Sequence, residues 1–255
     1  MSNSYCTIKV HKKRQIAHIR FNRPDKLNAI NSVMLQELSQ AIDNLEIDKK
    51  IKCLVISGEG KKSFSAGADL TELQNLTKET ARAFSINGQE VFSKIENMSK
   101  PVLASIKGYA LGGGLELALA CDFRISSDDA QFGFPEIKLG FIPGWGGTQR
   151  LPLIVGESKS KQLIMLGENI RSEEALKIGL VDTVVSSDDL DREIESFAQK
   201  LSECPPSACY QLKKTIFSNL VDDDFKKETA SFVQLFLLTE TKNKLADIAS
   251  QRNKK

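Results

Sequence analysis

Histidine is nearly missing from this 255-residue chain, with His11 and His18 its only two. Both lie in an alternating N-terminal segment with no spaced partners. That leaves a histidine-based triad or metal centre poorly supplied, and surface or structural roles suit both better. Cysteine is sparse and odd in number: Cys6, Cys53, Cys121, Cys204 and Cys209. The spacings are irregular and match neither a zinc signature nor a disulfide framework, so the chain reads as reduced, intracellular and cytoplasmic. Long apolar runs are missing too. None approaches the roughly 20 residues of a membrane span, and Met1–Cys6 opens no apolar signal segment. Nor does one sign of charge dominate. With 35 basic and 33 acidic residues the net charge is +2, which gives no global field toward nucleic acid or a membrane surface. The short clusters Lys12–Arg14 and Lys61–Lys62 read as solvated surface.

What is present is an ordinary globular composition, 41% hydrophobic and 27% charged, with no internal repeat and no low-complexity linker. Residues 5–10 and 15–21 alternate as a hairpin around a polar turn at His11–Arg14. Ser32–Leu45 has helical spacing at Val33, Leu35, Leu38, Ile42 and Leu45. Cys53–Ile56 is a short apolar strand, and a helix is expected from Lys78 to Met98, ending before Pro101. Val102–Ile106 and Phe123–Ser126 are further strands, and Leu115–Cys121 is a helix behind the glycine-rich Gly108–Gly114. Pro135–Gly147 reads as an irregular loop, and from Pro205 onward the pattern is helical only. Strands alternating with helices imply an α/β core with right-handed crossovers. The apolar residues 228–238 suggest a segment that covers something, such as another subunit.

Three stretches could carry chemistry. In Gly108–Asp122 a strand runs through glycines into a helix start. There the backbone can approach a ligand closely, and unpaired N–H groups can stabilise a negative oxygen. Glu116 is the only charge between Tyr109 and Cys121. Taken singly, it also fits a glutamate that reaches solvent from a tight turn. In Phe132–Leu151, Glu136 follows Pro135 between Phe134 and Ile137, and alone it fits an ordinary surface loop. Two carboxylates in apolar settings suit acid/base work, since burial can hold one protonated and the other charged. Phe64–Leu70 offers a backbone N–H from a turn. Two tempting motifs fail. The phosphate-loop pattern would need a glycine where Val55 stands, and the dinucleotide pattern needs one where Ala110 stands.

Together, and in their order along the chain, the stretches resemble the crotonase (enoyl-CoA hydratase/isomerase) superfamily along nearly the whole chain. The resemblance rests on Asn22–Ala29, Ser65–Leu70, Gly108–Asp122 and Pro135-Glu136 with Ile142–Arg150. It implies an α/β fold, a spiral of ββα units over residues 1–200, followed by a helical region, 201–255, for oligomerisation and active-site cover. It also implies Glu116 and Glu136 as catalytic residues and an oxyanion hole from the N–H groups of Ala68 and Gly113. Lys26, Leu27, Ala29, Ala66, Asp69, Leu70, Tyr109, Gly112, Pro135, Gly144 and Trp145 match segments that hold the substrate and its coenzyme A (CoA) moiety. An acyl-CoA thioester is the expected substrate, with no separate cofactor, no metal, no nucleic acid and no membrane. A homotrimer or a hexamer formed as a dimer of trimers is the expected assembly.

Members with both glutamates match the hydratase pattern, which implies hydration of 2-enoyl-CoA to 3-hydroxyacyl-CoA. Within the family the wording is closest to hydratases handling 3-hydroxypropionyl-CoA and crotonyl-CoA in autotrophic carbon fixation. An isomerase of the same superfamily is the nearest alternative, and a non-catalytic RNA-binding or scaffold homologue a more distant one. The chain departs from the family pattern at Trp145, where many relatives carry a small residue. The ring either packs or shortens the acyl pocket. It departs again at Thr239–Arg252, which lacks the usual glycine and phenylalanine.

Overall fold

The computed structural model describes residues 5–216, 229–230 and 232–252. Strands β1 (Ile8–Lys13) and β2 (Ile16–Phe21) form the antiparallel hairpin. Its turn is tighter than the polar run His11–Arg14 suggests. His11 pairs with His18 and Lys13 with Ile16, so the chain reverses at Arg14-Gln15, with Arg14 at φ 55°. An edge strand with one solvated face tolerates His11, Lys12 and Lys13 within the ladder, which is why polarity misplaces the turn.

Helix α1 (Ser32–Ile47) starts where the Asn31 side chain accepts from Met34 N at 2.9 Å, and it buries Leu35, Leu38, Ile42 and Leu45. A unit then recurs. β3 (Cys53–Gly58) and β4 (Ser63–Ser65) precede α2 (Leu70–Leu73) and α3 (Lys78–Glu96). β5 (Val102–Ile106) and β6 (Tyr109–Leu111) precede α4 (Gly113–Ala120). β7 (Phe123–Ser127) and β8 (Gln131–Gly133) precede the 3₁₀ turn Pro135–Leu139 and α5 (Gly147–Val155). Then come α6 (Glu157–Leu166), β9 (Ile170–Arg171), α7 (Ser172–Lys177), β10 (Thr183–Val185), α8 (Leu190–Glu203), α9 (Pro206–Ile216) and α10 (Thr239–Arg252).

The first strand of each unit joins a sheet ordered β1-β2-β3-β5-β7-β10, parallel from β2 onward. The second joins a smaller sheet ordered β4-β6-β8-β9. This is the ββα spiral of the α/β class that the motifs imply. Both faces of the larger sheet are covered. In β3, Leu54 and Ile56 enter the main core, while Cys53 and Val55 meet Leu190, Ile194 and Ala198 of α8. The sequence reading left α6 to α8 unassigned.

Beyond Pro205 the described elements are helices. Of the apolar stretch 228–238 singled out above, residues 228 and 231 lie outside the described residues. Phe232, Val233 and Phe236 of that stretch are buried against their own chain, while Leu237 and Leu238 are exposed. Phe232 and Phe236 stack on Phe141 with ring centroids 5.5 and 6.0 Å apart.

Candidate active site

The spiral places the start of α4, the 3₁₀ turn and the loop before α5 around one cavity of about 70 Å³. It is narrow and mostly apolar. Leu73, Phe84, Leu139, Phe141, Ile142 and Phe232 form its greasy wall. Ten of the expected site residues line it: Ala66, Ala68, Leu70, Gly112, Gly113, Glu116, Pro135, Glu136, Gly144 and Trp145.

Glu116 sits in the first turn of α4 and is 2% exposed. Its Oε1 accepts from the N–H of Trp145 and the N–H of Gly147, each at 2.8 Å. Burying a carboxylate without partners costs several kcal/mol, and these two donors offset that cost while fixing its orientation. Gly147 allows the approach, since a Cβ there would lie 3.0 Å from Glu116 Cγ and Oε1. The donor loop is itself anchored. Buried Arg150 donates from Nη1 to the Trp145 carbonyl at 3.0 Å and pairs through Nη2 with Glu96 at 2.7 Å.

Glu136 rides on the 3₁₀ turn behind Pro135, whose fixed φ suits a helix start. The turn closes at Gly140 in the left-handed region at φ 78°, and Thr241 of α10 donates to the Gly140 carbonyl at 3.1 Å. Opposite lies Gly112 at φ 50°, where a Cβ would come 2.5 Å from Glu136 Oε1. Only glycine lets that carboxylate come so close to the backbone.

The two N–H groups expected to form an anion site are neighbours. Gly113 is the first residue of α4, so its N–H has no acceptor within the helix. Ala68 bridges Ile30 in parallel, through Ile30 N to Gly67 O at 2.8 Å and Asp69 N to Ile30 O at 2.9 Å. In that ladder the N–H of Ala68 itself points to the other side, toward α4. A Cβ on Gly113 would lie 3.5 Å from Ala68 N, which measures how close the two strands of backbone run. Such a pair of donors at a helix start can hold an oxygen that gains negative charge.

The remaining expected residues lie outside this cavity. Asp69 caps α2 through Thr71 N at 3.0 Å and pairs with Arg23 Nη2 at 2.8 Å, so its carboxylate is engaged in holding the Asn22–Ala29 segment. Burial alone would raise the Asp69 carboxyl, but the Arg23 guanidinium and the Thr71 N–H outweigh it and hold the group below its usual value. Leu27 lines a separate depression with Pro24, Asn28 and Glu59 to Ser63. Lys26 is exposed, while Ala29 and Tyr109 are half-buried elsewhere. The sequence reading missed the greasy wall. Phe84 belongs to the apolar stripe of α3 and Phe232 to the apolar tail, and neither pattern says which core residue borders a cavity. Among the described residues no cluster of three or more His, Cys, Asp or Glu side chains could hold a metal ion, and no helix is long and apolar enough to cross a membrane.

Residues 11–247 match the family model described as enoyl-CoA hydratase/isomerase. The chain is 38% identical over 246 residues to the short-chain-enoyl-CoA hydratase of Clostridium acetobutylicum, spanning 95% of this chain and 94% of that protein. It is 45% identical over 198 residues to the crotonyl-CoA hydratase of Syntrophomonas wolfei, spanning 78% and 76%. Among solved structures, an enoyl-CoA hydratase from Bacillus anthracis superposes with a TM-score of 0.81 at 33% identity, spanning 98% and 97%.

Proposed function

The chain belongs to the enoyl-CoA hydratase/isomerase family, and from that premise we propose that it reversibly hydrates short-chain 2-enoyl-CoA thioesters to 3-hydroxyacyl-CoA. The observation that carries this reading is the Glu116 carboxylate, held by the Trp145 and Gly147 N–H groups in the cavity that Glu136 also lines. The thioester oxygen sits between the N–H groups of Ala68 and Gly113. Drawing electrons toward that oxygen makes C3 electrophilic and stabilises the enolate that follows. Glu116 takes a proton from a water whose oxygen bonds to C3. Glu136 holds the water and delivers a proton to C2. Dehydration runs the same steps backward, with the acid and base roles exchanged. No cofactor enters, because CoA is part of the substrate.

The isomerase alternative needs one carboxylate to move a proton from C2 to C4, and a second in the same cavity favours hydration. The small cavity supports acyl groups of about three or four carbons, 3-hydroxypropionyl-CoA and crotonyl-CoA among them. A place in autotrophic carbon fixation rests on the sequence resemblance alone. Exposed Leu153, Met165, Leu166 and Leu176 on α5 to α7 support self-assembly, as a trimer or a dimer of trimers. Five free cysteines, two of them buried, are consistent with a reducing, cytoplasmic setting. The test is to incubate the protein with short and medium 2-enoyl-, 3-enoyl- and 3-hydroxyacyl-CoAs and to weigh the thioester products. Gain of one water by crotonyl-CoA supports the proposal. Conversion of 3-enoyl- to 2-enoyl-CoA at constant mass, with no hydration, contradicts it.

A further inference from the structure

Behind the Trp145 loop, side-chain hydrogen bonds link the C-terminal segment to Glu116. The Gly144–Trp145 peptide unit is gripped at both ends. Its N–H donates to Glu116 Oε1 at 2.8 Å. Its carbonyl, on Gly144, accepts from Ser85 Oγ at 2.8 Å and from Gln89 Nε2 at 3.1 Å. A trans peptide points its N–H and C=O in opposite directions, so fixing the carbonyl on α3 aims the N–H at the carboxylate. Ser85 and Gln89 stand one turn apart on the buried face of α3, at 0% and 7% exposure. An amide side chain has a donor end and an acceptor end, and here Thr229 selects between them. Its hydroxyl donates to Gln89 Oε1 at 3.0 Å, which leaves Nε2 facing Gly144.

We infer that Ser85, Gln89 and Thr229 are positioning residues for the reaction, holding the Trp145 N–H against Glu116 through the Gly144 carbonyl; this rests on Glu116 acting as the base. One donor would satisfy a buried carbonyl. This one receives two, and one of those is oriented by a residue 140 positions later in the chain. Docking of the C-terminal segment is thereby coupled to the geometry of Glu116. When Thr229 loses its hydroxyl, Gln89 Oε1 loses this donor and the amide is no longer held with Nε2 on the Gly144 oxygen. The peptide then rotates and Glu116 loses a donor.

The test is steady-state hydration of crotonyl-CoA by the full chain with Ser85→Ala, Thr229→Val and Thr229→Ser. Ser85→Ala and Thr229→Val should each lower kcat about 10-fold, a part of the ~10²-fold that a 1 Å misplacement can cost. KM should move less than ~2-fold, since none of the substituted side chains lines the cavity. Thr229→Ser keeps the hydroxyl and should keep the turnover. In a Glu116→Gln background neither substitution should reduce kcat further, because residues acting through one group are not additive. If Ser85→Ala does not fold, the near-isosteric Thr229→Val against Thr229→Ser decides. Undiminished kcat, equal loss in Thr229→Ser, or the same loss in the Glu116→Gln background would overturn the inference while leaving the role of Glu116 standing. Full turnover by Glu116→Gln alone would remove that role, and the inference with it.

Discussion

The Trp145 indole donates from Nε1 to the Phe84 carbonyl at 3.2 Å and lies against Phe84 and Phe92, with centroids 5.0 and 5.5 Å away. It also lines the cavity, so the ring packs in the core, and pocket-shortening, the other reading of the sequence, is what its truncation tests. Two glycines make room for it. A Cβ on Gly88 would lie 2.1 Å from Trp145 Cδ1, and one on Gly113 would lie 2.3 Å from Cζ3. A side chain at Gly113 would therefore disturb the core as well as the anion site. Trp145→Ala should cost about 3–5 kcal/mol of stability, as for a large buried ring. It should also raise the ratio of kcat/KM for an eight-carbon over a four-carbon enoyl-CoA. Melting temperatures and the two rate constants measure both effects, and an unchanged ratio would mean the ring does not limit chain length. At this scale Glu116, Glu136, Ala68 and Gly113 could be named because the motifs around them resemble those of the family; taken singly, Glu116 also fits a glutamate reaching solvent and Glu136 an ordinary surface loop. Ser85, Gln89 and Arg150 were not legible. Ser85 and Gln89 look like polar residues of a solvated helix until α3 is packed against the Gly144 carbonyl.

Among the elements, the Asn22–Ala29 segment and the start of α2 are tied by the Arg23–Asp69 pair, with side chains 19% and 13% exposed. The folded Asp69 carboxyl lies below its unfolded value, so the unfolded chain binds the extra proton between the two. The stabilisation is complete above the unfolded value near ~3.9 and fades as pH falls through the folded one. Arg23→Gln should therefore melt earlier than the parent at neutral pH, with the gap closing on acidification below ~3.9. A gap of constant size across that range would deny the pair its role. The longer elements could be read from the sequence. Ser32–Leu45 and Lys78–Met98 carry a helical stripe, and Val102–Ile106 is an apolar run. The three-residue strands β4, β6 and β8 are too short to show a period. Their place in a second sheet follows from the crossovers of the longer strands, which no local window contains.

For the whole molecule, the alternation of strands and helices implied the α/β class, and the family resemblance implied the spiral. The C-terminal region was legible only as helical and apolar. Its position over the site depends on contacts far apart in the chain: Phe232 on Phe141, and Thr241 on Gly140. Through these the last helices close the greasy wall and steady the turn that bears Glu136. The fold, the cavity and the two carboxylates converge on one claim, that Glu116 and Glu136 together add water across an enoyl thioester. The most direct test is kcat for crotonyl-CoA hydration by Glu116→Gln and Glu136→Gln, each checked for an unchanged melting temperature. Loss of about 10² or more in both variants, the span usual for acid/base groups, is the predicted result. Near-normal hydration by either folded variant would contradict it.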